Sequence, residues 1–271
     1  MDEMTFNGNY RAIVTDNNDP LQAGRVRVRV MPMFKDVDAD ALPWAVLADA
    51  FMGSPNAGSV NIPEIGANLF VFFEAGDHRY PVYFATAPSI QNGTPDLPTL
   101  TREADDSVTD INTNAKKGVG TASGSSWDEP GSAYAAVYPE NKIWKTTDGL
   151  LIELDDTDGQ LRFHIYHPAG TRMEIDKDGN EVNHTQGNRF TVVVGDDKVY
   201  ITGNGDITVD GDMGIKVGGD TKIDVTGNAD IIAAGDASVE SVNSTVKGSA
   251  SVTIDGGPAV TITGGLISLN P

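Results

Sequence analysis

The stretch Gly203-Asn-Gly-Asp-Ile207-Thr-Val209-Asp-Gly211-Asp-Met-Gly-Ile215-Lys-Val217-Gly-Gly219-Asp-Thr-Lys-Ile223-Asp-Val225-Thr-Gly227 repeats itself every eight residues. Glycines recur at Gly203, Gly211, Gly219, Gly227 and Gly235, then resume with the same spacing at Gly248, Gly256 and Gly264. Apolar residues keep step: Ile207, Ile215, Ile223, Ile231 and Val239, then Val252 and Val260, with Val209, Val217, Val225, Ala233, Ile254 and Ile262 two positions further on. Each unit reads as a very short strand followed by a turn, with two apolar side chains on one face.

Two inward side chains bury about 100–150 Å², worth roughly 3–4 kcal/mol. Ordering eight residues costs more than that, and an octad is short to coil around a core of its own. Three chains wound about one axis answer both problems, because each supplies one face of a triangular prism and its strand edges pair with the other two. The expected needle core is therefore Ile207, Val209, Ile215, Val217, Ile223, Val225, Ile231, Val239, Val252, Ile254, Val260 and Ile262, in a stiff homotrimeric β-helix.

Upstream, alternating segments at 142–146, 150–155, 161–167 and 171–175 are separated by Asp148-Gly149, Asp158-Gly159, Pro168-Ala169-Gly170 and Asp178-Gly179, the pattern of a hairpin meander. Residues 89–140 hold eight acids against three bases with few large apolar side chains, so they read as a solvated connector anchored by Trp127 and Tyr134. Before them, alternating strands at 10–15, 24–31, 69–74 and 81–85 suit a small closed barrel. In the second of these, Val26, Val28 and Val30 face one way and Arg25, Arg27 and Arg29 the other. The chain is expected to be all-β throughout, in four parts: a barrel at 1–88, a connector at 89–140, a hairpin region at 141–200 and a needle at 201–271.

The formal net charge of −20 argues against nucleic acid and anionic lipid, which ask for clustered cations. No apolar run reaches the length of a membrane-spanning helix, and residues 1–9 lack the pattern of a signal peptide, so synthesis in the cytoplasm is expected. The absence of cysteine removes disulfides, thiolate nucleophiles and Cys-based metal sites.

The candidate chemical motifs have plainer readings. His164 and His167 point to opposite faces of a strand, which does not suit a metal pair. Asp176-Lys-Asp-Gly179 lacks the sixth-position glycine and twelfth-position glutamate of a calcium loop and reads as a hairpin turn. The octads lack the Gly-Gly-x-Gly-x-Asp nonapeptide of calcium-binding repeats. Glu153, Asp155 and Asp156 lie in one strand and its turn, with no partner across a cleft, and read as a solvated strand end. No serine elbow or cysteine nucleophile is present, so no catalytic residue, metal ligand or cofactor is expected. Ions on the needle axis are compatible with this reading.

Three groups of motifs carry a resemblance. Val14-Thr-Asp-Asn-Asn-Asp-Pro-Leu-Gln-Ala-Gly-Arg-Val-Arg-Val-Arg-Val30, with Pro43-Trp44-Ala45, Pro63-Glu64-Ile65-Gly66 and Phe73-Glu-Ala-Gly-Asp-His-Arg-Tyr-Pro-Val82, resembles the OB-fold domain of contractile-phage baseplate central spikes and of VgrG proteins. Ile152-Glu-Leu-Asp-Asp-Thr-Asp-Gly159 and His167-Pro-Ala-Gly-Thr-Arg-Met-Glu-Ile175 look like the segment leading into their β-helix, and the octads match their repeat. The resemblance implies a spike in the tail baseplate of a virion that pierces the host outer envelope on sheath contraction. It further implies a separate hub chain, because the large hub region that precedes the barrel in VgrG proteins has no counterpart here. Arg25, Arg27 and Arg29 are the candidate hub-docking residues. The connector is too short and polar for the lysozyme domain that some such spikes insert. A small PAAR-type tip protein is expected on the blunt end, at Leu266, Ile267 and Leu269. The alternatives are the spike of a phage-derived cellular injection system and, further off, an envelope-degrading or receptor-binding tailspike.

Overall fold

The computed structural model describes residues 5–49, 57–98, 119–120, 126–127 and 130–267. It divides into two compact units, Met1–Asp212 and Met213–Pro271.

The first unit opens with a closed barrel of β1 (Tyr10–Asp16), β2 (Val26–Val30), β3 (Trp44–Leu47), β4 (Asn68–Phe73) and β5 (Pro81–Thr86) in the order β1-β2-β3-β5-β4. All pairings are antiparallel except β3 with β5. That closure gives the OB-fold expected of the segment. Strand alternation fills it: Ala12, Val14, Val26, Val28, Val30, Leu69, Val71 and Phe73 point inward and are buried, with Phe34, Leu42 and Tyr83 closing the core. The Tyr83 hydroxyl, which enters this core, donates to Gly24 O at 2.6 Å. At the β4–β5 corner Gly76 takes φ +76°, and a Cβ there would lie 2.8 Å from Asn7 Oδ1, because the chain before β1 is tied down by Phe6 N donating to Gly76 O at 2.9 Å. Glycine is the residue that meets both demands.

Short ladders follow at β6 (Ile90–Gln91) with β7 (Thr94–Pro95) and β8 (Val119–Gly120) with β9 (Ser126–Trp127). Next comes an antiparallel meander of β10 (Asn141–Lys145), β11 (Leu151–Asp155), β12 (Arg162–Tyr166), β13 (Arg172–Ile175) and β14 (Glu181–His184). The hairpins fall where the glycines predict: Gly149, Gly159, Gly170 and Gly179 all have positive φ. The expected hairpin at Asp176 closes on its own carboxylate, which accepts from the Asp178 and Asn180 amides at 2.9 Å. Residues 130–140 differ from a solvated connector. They lie on the sheet, where Tyr134 packs with Leu151, Tyr166 and Ile143.

Beyond His184, no strand pairing occurs among the described residues to 267. The chain instead bends at 186–187, 194–195, 202–203, 210–211, 218–219, 226–227, 234–235 and 242–243, once every eight residues, then at 249–250 after seven, and near 257–258 and 265. The repeat thus begins two units earlier than its reading from Gly203, at Gly187 and Gly195. The gap between Gly235 and Gly248 contains a bend with Asn243 in the glycine place.

Candidate functional site

On the barrel, the sequence points to an open basic edge at Arg25, Arg27 and Arg29. The structure holds these side chains half-buried and engaged within the chain. Arg25 Nη2 and Nε donate to the two carboxylate oxygens of Asp19 at 2.6 and 3.1 Å. The Arg25 guanidinium above all, against burial and with the Leu21 and Ala23 amides, holds the Asp19 carboxyl well below the usual carboxylate range. Arg27 lies 4.8 Å over the Trp44 ring and donates to Ala39 O at 3.2 Å. Arg29 Nη1 donates to Phe34 O and Val37 O, each at 2.7 Å. Fork-shaped guanidiniums suit this work, since each fastens a loop to the barrel wall.

The meander sheet holds the feature that sequence reasoning missed. Glu153 and Asp155, expected at a solvated strand end, are 0% and 1% exposed, and only Asp156 reaches solvent, paired with Lys142. Strand alternation puts Asn141, Glu153, Asp155, Arg162, His164, Arg172 and Glu174 on one face, and the ladder aligns Glu153 with His164 and His164 with Glu174. Arg162 sits between two carboxylates, donating to Glu153 and, at 3.0 Å, to Glu174, with its guanidinium 5.0 Å over the Tyr134 ring. Glu153 also accepts from Asn141 at 2.7 Å and lies 3.2 Å from His164 Nδ1. Burial pushes the Glu153 carboxyl up, but His164, Arg162 and Asn141 outweigh it and hold the group below its ordinary range.

Residues 130–140 complete the seal over this face. Ser132 Oγ and Ala133 N donate to Glu174 at 2.5 and 2.7 Å, Arg172 donates to Pro130 O at 3.1 Å, and Val137 N donates to Thr157 Oγ1 at 2.9 Å. Opposite charges at matched positions of paired strands were the available signal. Glu153 and Glu174 are acceptors in a buried network that ties neighbouring strands together, an arrangement that braces the sheet. His164 belongs to it, whereas His167 lies at the next hairpin and accepts from Ala169 N at 3.0 Å. Among the described residues, no three His, Asp or Glu side chains gather as metal ligands.

In the octads the expected core residues lie in the open in a single chain: Ile207, Ile215 and Ile223 are 83%, 79% and 85% exposed. Val209, Val217, Val225, Ile231, Val239, Val252, Ile254, Val260 and Ile262 are exposed too, as are Leu266 and Ile267, while Leu269 lies outside the described residues.

The closed barrel lies within the segment, residues 10–87, that matches the family described as "Type VI secretion system/phage-baseplate injector OB domain". Within its N-terminal part the chain is 42% identical over 79 residues to Protein Gp5 of Vibrio phage KVP40, covering 29% of this chain and 19% of that protein. It is 35% identical over 68 residues to the Pre-baseplate central spike protein Gp5 of Enterobacteria phage T4, covering 25% of this chain and 12% of that one. The matched segment thus spans less than a fifth of the length of either relative. Over this domain the resemblance to contractile-phage baseplate central spikes, read from the motifs, is borne out.

Proposed function

We propose that the chain is the central spike of a contractile tail baseplate: a homotrimer whose OB barrels dock on a hub and whose octads wind into a needle driven through the host outer envelope. The observation that carries this reading is the octad array itself. An apolar pair recurs every eighth residue, uncovered in a single chain, in a protein whose barrel matches an injector OB domain. Exposed apolar rows of this extent ask for a partner, and a repeat with threefold closure supplies one from the chain's own sequence. The role is mechanical and non-catalytic, since a prism with every strand edge paired leaves no edge to peel. Its partners are the hub, a small PAAR-type tip protein at the far end of the needle and, transiently, the envelope. Because the matched family covers type VI secretion systems as well as phage baseplates, a spike of a cellular injection system is the second reading, and neighbouring capsid genes separate the two.

Light scattering of the purified chain tests the assembly. The expected mass is three times 28.7 kDa, with needles visible by negative-stain electron microscopy. A stable monomer at micromolar concentration refutes the spike.

A further inference from the structure

The barrel strands place their ends in two groups. The starts of β1, β3 and β5 and the ends of β2 and β4 share one end, so the loops 31–43 and 74–80 and the chain before β1 gather there. The chain leaves β5 at the other end. Among the gathered loops lies a cleft of about 640 Å³, a size typical of binding sites. Phe6, Met33, Phe34 and Val37 give it apolar walls, and residues 75–79 form its mouth.

These walls are fixed from within the chain. Phe6 and Phe34 each set a ring edge-on to Phe73 of the barrel core, with centroids 5.9 and 6.3 Å away. Phe6 N is tied to Gly76 O, and the Arg29 guanidinium holds Phe34 O and Val37 O. At the mouth Asp77 and Arg79 neutralise one another across 2.5 Å. Outside that pair, the two loops carry the exposed carboxylates of Asp36, Asp38, Asp40 and Glu74 against the single exposed ammonium of Lys35. Met31 and Tyr80, 52% and 56% exposed, add apolar surface at the same end.

We propose that this cleft is where the barrel takes hold of the hub, and that the hub supplies an apolar side chain carried on a cationic segment. The inference rests on the spike reading and adds to it the place and the chemistry of the contact, with a polarity opposite to that of a surface built from Arg25, Arg27 and Arg29. A closed barrel offers no strand edge for a partner to extend, which leaves its loops and its outer wall. The arginines of that wall are engaged with their own loops, and Arg29 shapes the cleft instead. A protein seated at the cleft end also stands clear of the chain's exit from β5. The carboxylates around the hollow select and steer a cation, while the fixed walls receive an apolar side chain without having to be ordered first.

The chain contains no cysteine, so an introduced thiol reports on either end of the barrel. Val37→Cys at the cleft and Leu21→Cys at the opposite end, where the parent residue is 71% exposed, are made in the full chain. Their reaction with a polyethylene-glycol maleimide is timed in the isolated protein and in contractile particles purified from producing cells, the mass tag being read on this chain by immunoblot. Ala39→Cys, in the same loop, takes the place of Val37→Cys should that variant fail to fold. The expected result is a ratio of cleft to control labelling at least tenfold lower in particles than in the isolated protein. An unchanged ratio overturns this inference and leaves the spike standing, whereas absence of the chain from the particles overturns both. The double variant Asp36→Lys, Asp38→Lys tests the chemistry, since Asp38 makes no side-chain capping hydrogen bond to the helical turn that follows it. Its incorporation into particles should fall at least tenfold while its mass in light scattering matches the parent's, and full incorporation overturns the cationic partner.

Discussion

Replacing Arg162 by Met removes the cation between Glu153 and Glu174 while keeping most of its volume. The guanidinium and Glu153 are fully buried and Glu174 nearly so, which leaves two carboxylates facing one another under residues 130–140. Breaking a buried pair from one side typically costs ~3–5 kcal/mol. Glu153 keeps Asn141, and Glu174 keeps the Ser132 hydroxyl and the Ala133 amide, so the lower end, about 3 kcal/mol, is expected. The sheet belongs to the unit Met1–Asp212, and at that size each kcal/mol moves the melting temperature by ~2–4 °C, hence a fall of roughly 6–12 °C. Thermal unfolding followed by circular dichroism at neutral pH reads it. Arg162→Lys should fall in between, since one ammonium cannot fork to two carboxylates. The triple replacement Glu153→Leu, Arg162→Met and Glu174→Leu should recover most of the loss, because an apolar trio carries no charge to desolvate. A single Arg162→Met variant melting within about 3 °C of the parent would refute the assignment of this network as the brace of the sheet.

In the proposed trimer Ile215→Asp would place three unpartnered carboxylates at one level, at several kcal/mol per ion; loss of the trimeric mass is expected, and unchanged assembly with unchanged melting would show that Ile215 does not face inward. Asp19→Asn tests the loop clamp through pH. The Asp19 carboxyl is depressed in the folded state, so its contribution is fully present above the unfolded value near ~3.9 and is lost as pH falls toward the folded one. The variant should therefore be less stable than the parent at pH 7 and converge with it in strong acid, and a gap that persists there would contradict an ionic clamp. Deleting residues 266–271 should release the tip protein in a pull-down while the trimer and hub contact persist; retention of the tip places its site elsewhere.

The barrel was legible because its strands alternate cleanly, as Val26, Val28 and Val30 do, and because its loops carry family motifs. The parallel pairing of β3 with β5 was not, since it joins segments distant in sequence with no turn between them. The octads announced themselves through glycine spacing, yet Gly187 and Gly195 escaped notice although Val199 and Ile201 keep step after them. Asn243 hid a unit because asparagine can stand where glycine usually does. The three arginines read as a surface because a single strand shows which side a residue takes and nothing of the loop that folds over it. Glu153, Asp155 and Glu174 were hidden by the opposite error. Charge implies solvent only when no complementary charge lies on the neighbouring strand, and Arg162 and His164 lie there.

The seven-residue interval between the bends at 242–243 and 249–250 has a consequence for chains wound together. Along the uniform octads, sliding one chain past its neighbours by a whole unit brings like against like, so those levels alone are a ruler without numbers. The short interval breaks that equivalence. A slipped chain would set its seven-residue step beside an eight-residue step, and over the unit between the two short steps one residue of offset would turn its side chains to the wrong face. In the proposed trimer a single missing residue would thus be the zero mark from which three otherwise interchangeable chains count.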